Sequence, residues 1–171
     1  MFTDKQQQQF LIWFDNHLPL IVRAAKTYAA DREDQDDLVQ EILLQLWSSI
    51  PRFRGDAAET TWIYRVALNT ALAWTRGQTR RRKRLKITLR ETCQLPSTAD
   101  EAIEDDVIAQ LYDAIRQLPP ADRSVVLMQL EGLSYDDMAD VLGLTRNHVG
   151  VRLTRAKKKL AASLKGLIDD L

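Results

Sequence analysis

The stretch SYDDMADVLGLTRNHVGVRLTRAKKKL, residues 134–160, reads as a short helix, a glycine-containing turn and a basic second helix. Ser134 followed by Asp137 suits an N-cap whose hydroxyl and carboxylate satisfy the free amides of a first helical turn. The short helix buries Met138, Ala139 and Leu142. Gly143 tolerates the positive φ that ends a helix, and Thr145 is placed to cap the next one, so the turn is short and the helices cross steeply. Val149, Leu153, Ala156 and Leu160 then recur at spacings of four, three and four, an apolar stripe for the core. That stripe fixes the opposite face: Asn147, Val151, Thr154, Arg155 and Lys158 project outward, flanked by Arg146, His148 and Lys157. No acidic residue lies between Val141 and Ile168. Such a one-signed helix suits phosphate contact with counterion release. The outline is that of a DNA-reading helix-turn-helix, but an ordinary helical hairpin with a solvated basic face has the same pattern, so the rest of the chain must decide.

The chain has 171 residues, 45% of them hydrophobic, enough for one sizeable domain or two small ones and too apolar for global disorder. Its formal net charge is zero, yet the charges are segregated: DREDQDD at 31–37 is acidic, RGQTRRRKR at 76–84 is basic and DEAIEDD at 100–106 is acidic again. Such blocks either serve different partners or pair with each other inside the fold. Cys93 is the only cysteine, which excludes an internal disulfide and a cysteine-rich metal site. The two histidines, His17 and His148, are far apart and there is no glycine-rich phosphate loop, so neither a catalytic pair nor a metal or cofactor site assembles. The expectation is a protein that is not an enzyme, with no catalytic residues, no metal and no cofactor. The start MFTDKQQQQFLIWF lacks the basic onset and cleavage site of a signal peptide, and no apolar run reaches about 18 residues. A soluble, cytoplasmic protein without membrane insertion is expected.

Helical periodicity dominates and alternating β-branched runs are nearly absent, so the fold class is all-α. Phe10, Leu11, Phe14 and Leu18, then Ile21, Val22, Ala25 and Tyr28, mark an opening helix or a pair broken around Pro19. Leu38, Ile42, Leu46 and Ile50 form the stripe of a second helix that Pro51 ends, with Asp34, Asp36 and Asp37 near its positive N-terminal dipole. A third helix from about Thr60 to Arg76 buries Trp62, Ile63, Val66, Ala67, Thr70, Ala71 and Trp74. Its other side carries Tyr64, Arg65, Asn69 and Arg76. Leu72 falls on that side too, which implies that another element or a partner covers part of it. With the basic run that follows, this face mixes aromatic, amide and guanidinium groups able to stack on bases and hold phosphates, although a plain solvated face has the same composition. Residues 80–105 shift from basic to ITLRETCQLPSTAD to acidic, the composition of a linker. Beyond it Val107, Leu111, Ala114, Ile115 and Leu118 form a helix stopped by Pro119 and Pro120, and ADRSVVLMQLEG forms another before the helix-turn-helix. Two small helical domains, 1–85 and 106–171, are thus joined by a linker over 86–105, the second domain carrying the helix-turn-helix.

Taken in order, DDLVQEILLQLW, PRFRGDAAETTWIYRVALNTALAW, LPPADRSVVLMQLEGLSYDDMADVLGL and VRLTRAKKKL resemble the extracytoplasmic-function sigma factors of bacterial RNA polymerase, from about residue 8 to residue 164. The resemblance implies a specificity subunit that binds core polymerase, directs it to promoters and helps to open them. The first domain is similar to sigma region two and the second to region four. It further implies that the helix spelled DDLVQE meets the clamp coiled coil of the polymerase through Asp37, Gln40 and Glu41. Phe53, Arg54, Gly55 and Asp56 would shape a pocket loop for a base flipped from the minus-ten element, with Tyr64, Arg65 and Asn69 facing the strand. Unpairing costs a few kcal/mol, which stacking and base-edge hydrogen bonds offset. Arg76 and the run from Arg80 to Arg84 would hold phosphates without choosing sequence. Region four would lay its basic helix in the major groove of the minus-thirty-five element, using Arg146, Asn147, Val151, Thr154, Arg155 and Lys158, with its first helices on the polymerase flap. Arg155 is the natural bidentate reader of guanine. Core polymerase, promoter DNA and an anti-sigma protein are the implied partners. Gly150 departs from the pattern: many members carry Lys or Arg there, and a mid-helix glycine costs about 1 kcal/mol relative to alanine. Against this stands a lone dimeric regulator, which would footprint duplex DNA unaided and would leave the first domain without a task.

Overall fold

The computed structural model describes residues 4–88 and 106–168, and every regular element among them is a helix. Seven α-helices follow in order: α1 Asp4–Tyr28, α2 Arg32–Ser49, α3 Glu59–Thr88, α4 Asp106–Arg116, α5 Pro120–Leu130, α6 Tyr135–Leu142 and α7 Arg146–Ile168. A 3-10 turn, Ile50–Arg52, closes α2, with Pro51 at its start.

Local chemistry sets most boundaries. Asp31 caps α2 by accepting from the Asp34 amide at 2.8 Å. Pro120 opens α5, where its missing N–H costs no helical bond. Ser134 and Asp137 form a reciprocal capping box on α6, the Asp137 amide donating to Ser134 Oγ at 3.1 Å and the Ser134 amide to the carboxylate at 3.3 Å. Gly143 ends α6 at φ +64. Thr145 Oγ1 accepts from the His148 amide at 3.2 Å and so caps α7.

One open helix limit is resolved and one expected limit moves. The opening helix is unbroken: Pro19 sits within α1, on its exposed side together with Asp15, whose carbonyl loses its helical donor where water can replace it. Helix α3 continues through the basic run to Thr88, which takes the first residues of the expected linker. The rest of that linker lies outside the described residues.

The first three helices pack around Trp13, Ile21, Leu38, Ile42, Leu46 and Ile63, and α4 to α7 around Ile115, Val125, Leu153 and Ala156. The two halves do not sit apart. Leu127, Met128, Met138 and Val149 of the second half belong to the same buried cluster as Ile21, Tyr64 and Leu68 of the first. Helices α1 and α3 therefore form one wall of a shared interior, and α5 and α6 form the other.

Candidate nucleic-acid interface

Helix α7 presents the face that its stripe demands. Val149, Leu153, Ala156 and Leu160 are buried, while Arg146, Asn147, Val151, Thr154, Arg155 and Lys158 are all exposed. Val151 is an exposed apolar side chain, at 41%, in the middle of this polar face. Not every cation on the helix is available. Arg152 is turned inward to Asp122 of α5 at 3.2 Å and ties the helix to its own domain. Arg146 reaches Asp136 of α6 at 3.1 Å across open solvent, a weak tether that a phosphate or base could displace. The Thr154 hydroxyl donates back to the Gly150 carbonyl at 2.9 Å. Gly150 itself is not sterically required: a Cβ there would meet the Tyr135 ring at 3.5 Å, an ordinary contact.

The loop before α3 is anchored by aromatic packing. Phe53 is half-buried, its ring edge-on to Trp13 at 5.4 Å and tilted against Trp62 at 5.6 Å. It thus supports the loop from below rather than offering a free ring. Trp62 is itself fixed by its indole N–H, which donates to Ser49 Oγ at 3.1 Å. Beyond Phe53 the chain turns at Gly55, whose φ of +78 suits glycine, and Arg54, Gly55 and Asp56 are exposed at the tip.

The outward side of α3 divides. Asn69 and Arg76 are exposed, whereas Tyr64 is only 2% exposed, against the expectation that it faces solvent. The helical spacing does not report that this side of α3 lies in the interior shared with the second half of the molecule, where Tyr64 sits near Arg23 and Glu131. Burial pushes the Tyr64 phenol far above its ordinary range. Arg65 donates to the Asp140 carbonyl of α6 at 2.7 Å. Leu72, the apolar residue on this side, is partly buried against the shared interior. It lines a cleft of about 230 Å³ together with Arg65, Asn69, Val141, Leu142 and Leu144. The side chains of residues 81–84 lie outside the described residues, and Arg80 is exposed.

On α2, Asp37 and Gln40 are exposed and Glu41 is half-buried, its carboxylate accepting from Gln45 at 3.0 Å. The same side carries Leu44, 60% exposed, which the apolar stripe of α2 does not include. Its position seven residues after Asp37, two turns along the helix, was the available signal.

Sequence reasoning also missed the polar joint between the halves. Arg23 of α1 forms a two-pronged ion pair with Glu131 at the end of α5, one bond measuring 2.6 Å. The accepting carboxylate holds the guanidinium above its ordinary value. The Tyr28 hydroxyl shares a hydrogen bond with Ser124 Oγ at 2.5 Å and donates to the Pro120 carbonyl at 3.0 Å. Burial raises Tyr28 to about 12. Arg116 of α4, paired with Asp113, donates to the Lys26 carbonyl at 2.7 Å. Among the described residues no cluster of His, Cys, Asp and Glu could hold a metal ion, and no helix is long and apolar enough to cross a membrane.

An all-helical pair of modules ending in a capped helix-turn-helix, with a cationic reading face, has the build of a DNA-directed transcription protein. Comparison with known proteins specifies it. Residues 13–81 match the model of Sigma-70 region 2 and residues 108–160 that of Sigma-70 region 4. The chain is 29% identical to the RNA polymerase sigma-H factor of Pseudomonas aeruginosa, over 98% of this chain and 91% of that protein. It is also 29% identical to the ECF RNA polymerase sigma-E factor of Haemophilus influenzae, over 83% of this chain and 80% of that one. Among solved structures, CnrH in complex with the cytosolic domain of CnrY superposes with a TM-score of 0.67 at 25% identity, covering 94% of this chain and 90% of that one. The sigma factor RpoE of Bartonella quintana, in complex with the anti-sigma factor NepR, shares the fold with a TM-score of 0.70 at 20% identity, over 95% and 98% of the two chains. The chain belongs to the sigma-70 family, as an extracytoplasmic-function sigma factor of bacterial RNA polymerase.

Proposed function

We propose a division of labour among three surfaces of this sigma factor, acting in the cytoplasm without chemistry of its own. The exposed side of α2, with Asp37, Gln40, Glu41 and the apolar Leu44, seats the chain on the polymerase clamp. A carboxylate and amide rim around one exposed leucine combines steering with an apolar anchor. The loop tip Arg54, Gly55 and Asp56, with Asn69, Arg65 and Tyr64 of α3, reads the minus-ten strand after it opens, and Arg76 holds phosphate. Phe53 supports that loop from the core side. On α7, Arg146, Asn147, Val151, Thr154, Arg155 and Lys158 read the minus-thirty-five duplex, with Val151 suited to a thymine methyl and Arg155 to a guanine edge.

The observation that carries this reading is the outward face of α7: every residue assigned to the groove is exposed, on a helix free of acidic side chains from its start at Arg146 to Ile168. An anti-sigma protein as a further partner is supported by the structural relative RpoE, which was solved with the anti-sigma factor NepR bound. Footprinting tests the assignment against a stand-alone regulator. The protein with core polymerase should protect duplex DNA at both elements, whereas the protein alone should leave no minus-ten footprint. A strong palindromic footprint without polymerase would support the regulator instead.

A further inference from the structure

One face of α1 fastens the loop before α3 at both of its ends. Gln6, Gln9, Trp13 and His17 recur at spacings of three, four and four, which sets them in a row along the first half of the helix. The Gln6 amide donates to the Trp47 carbonyl at 3.2 Å, in the last turn of α2 before the 3-10 turn. Trp13 meets the Phe53 ring edge-on at 5.4 Å, where the loop begins. At the other end of the loop stands Glu59, the first residue of α3, where the helix dipole favours a negative side chain. The Gln9 amide donates to one Glu59 oxygen at 3.3 Å, and His17 Nε2 lies 3.5 Å from the other. Gln7 and Gln8, the middle of the same glutamine run, are exposed. Between the fastenings the contact is open: Gln6 and Gln9 share with Ile50, Pro51 and Phe53 the walls of a cleft of about 290 Å³. Polar bonds at the edges of that cleft, rather than close packing across it, therefore set how the loop sits on α1.

We propose that Gln6, Gln9 and His17 are positioning residues for minus-ten recognition: they fix both ends of the 53–58 loop, so that Arg54 and Asp56 at its exposed tip meet the strand already ordered. This rests on the minus-ten assignment above, and it adds three residues that act through the loop and not by contact with DNA. A loop that must be ordered by its ligand loses part of the interaction to that ordering, whereas one held beforehand does not. The benefit falls on discrimination more than on affinity, because a loose loop adapts to a wrong base as readily as to the right one, and a fixed one leaves the wrong base with unmatched polar groups. Helix α7, far along the chain, takes no part in this fastening, so the two DNA-reading surfaces should respond separately to changes on α1.

A reciprocal swap in the full chain tests this. Gln9→Glu sets a second carboxylate against Glu59, and Gln9→Glu combined with Glu59→Gln restores the pair with its direction reversed, the new amide donating toward α1 while its oxygen still faces His17. The polymerase complex of each variant is titrated with a single-stranded minus-ten oligonucleotide and with the same strand altered at one base, and amide hydrogen exchange across 53–58 is followed in the free chain. Gln9→Glu should weaken binding of the matched strand about tenfold, the scale of ordering a further side chain on binding, and that of the altered strand less. Exchange at 54–56 should quicken, while binding of a minus-thirty-five duplex by the complex stays unchanged. The swap should return exchange and strand binding to the wild-type values. Wild-type exchange or undiminished strand binding in Gln9→Glu would overturn the proposal, and so would a swap that restores neither. An equal loss on the minus-thirty-five duplex would also overturn it, since that marks general destabilisation. If Gln9→Glu does not fold, Gln9→Ala, which removes the donor without adding charge, is read in the same way. Absence of base-selective strand binding by the wild-type complex would count against the minus-ten assignment itself, and exchange in the free chain then decides whether α1 fixes the loop.

Discussion

At the scale of single residues, the consequences divide between helix chemistry and the joint between the halves. Gly150 lies mid-helix with only the Tyr135 ring nearby, and a Cβ added there would sit 3.5 Å from that ring. Gly150→Ala should therefore raise stability by about 0.5–1 kcal/mol, read as a higher denaturant midpoint at unchanged slope. Ser134→Ala removes an acceptor from the capping box and should cost about 1 kcal/mol in the same measurement. Tyr28 predicts a pH dependence. Its phenol ionises near 12 in the folded chain and at the ordinary 10 when unfolded, so between those values the unfolded state has released a proton that the folded state retains. Stability should be unaffected by this group below pH 10 and fall as the pH rises from 10 to 12. Tyr28→Phe should flatten that part of the alkaline decline. At neutral pH it should cost about 1–2 kcal/mol, because the Pro120 carbonyl and Ser124 lose their partner.

At the scale of elements, α7 separates affinity from specificity. Arg155→Ala should cost about 1–3 kcal/mol at one base pair of the minus-thirty-five element and relax the choice there. Lys158→Ala should weaken all sequences alike and lower the slope of log affinity against log salt by about 1. Both are read by titrating the polymerase complex on promoter variants across salt concentrations. This helix-turn-helix was legible in the sequence because everything that defines it is local. The capping box, Gly143, Thr145 and the four-residue stripe all fall within residues 134–160. The α1 limit was less legible, since periodicity alone does not say whether Pro19 faces solvent, where a lost helical bond is tolerated, or the core, where it breaks the helix. Leu44 escaped because a reading that follows the apolar stripe looks for the core and passes over a leucine spaced onto the Asp37 and Gln40 side.

At the scale of the whole molecule, the sequence supported two modules and the structure shows how they meet. Tyr64 is the informative case. Its spacing on α3 puts it on the outer side of that helix, yet it is buried in the interior shared by both halves, near Arg23 of α1 and Glu131 at the end of α5. No periodicity within α3 reports a surface that arrives from the other half of the chain. The Arg23–Glu131 pair spans 108 positions, and neither residue stands out from the many exposed charges around it. The whole-molecule account makes the chain a polymerase subunit whose two DNA anchors act together once polymerase holds them apart. The most direct test is to map transcript starts from a promoter library with purified core polymerase, with and without the protein. Starts that appear only with the protein, downstream of paired minus-thirty-five and minus-ten elements, are the predicted result; an identical set of starts with and without it would contradict the account.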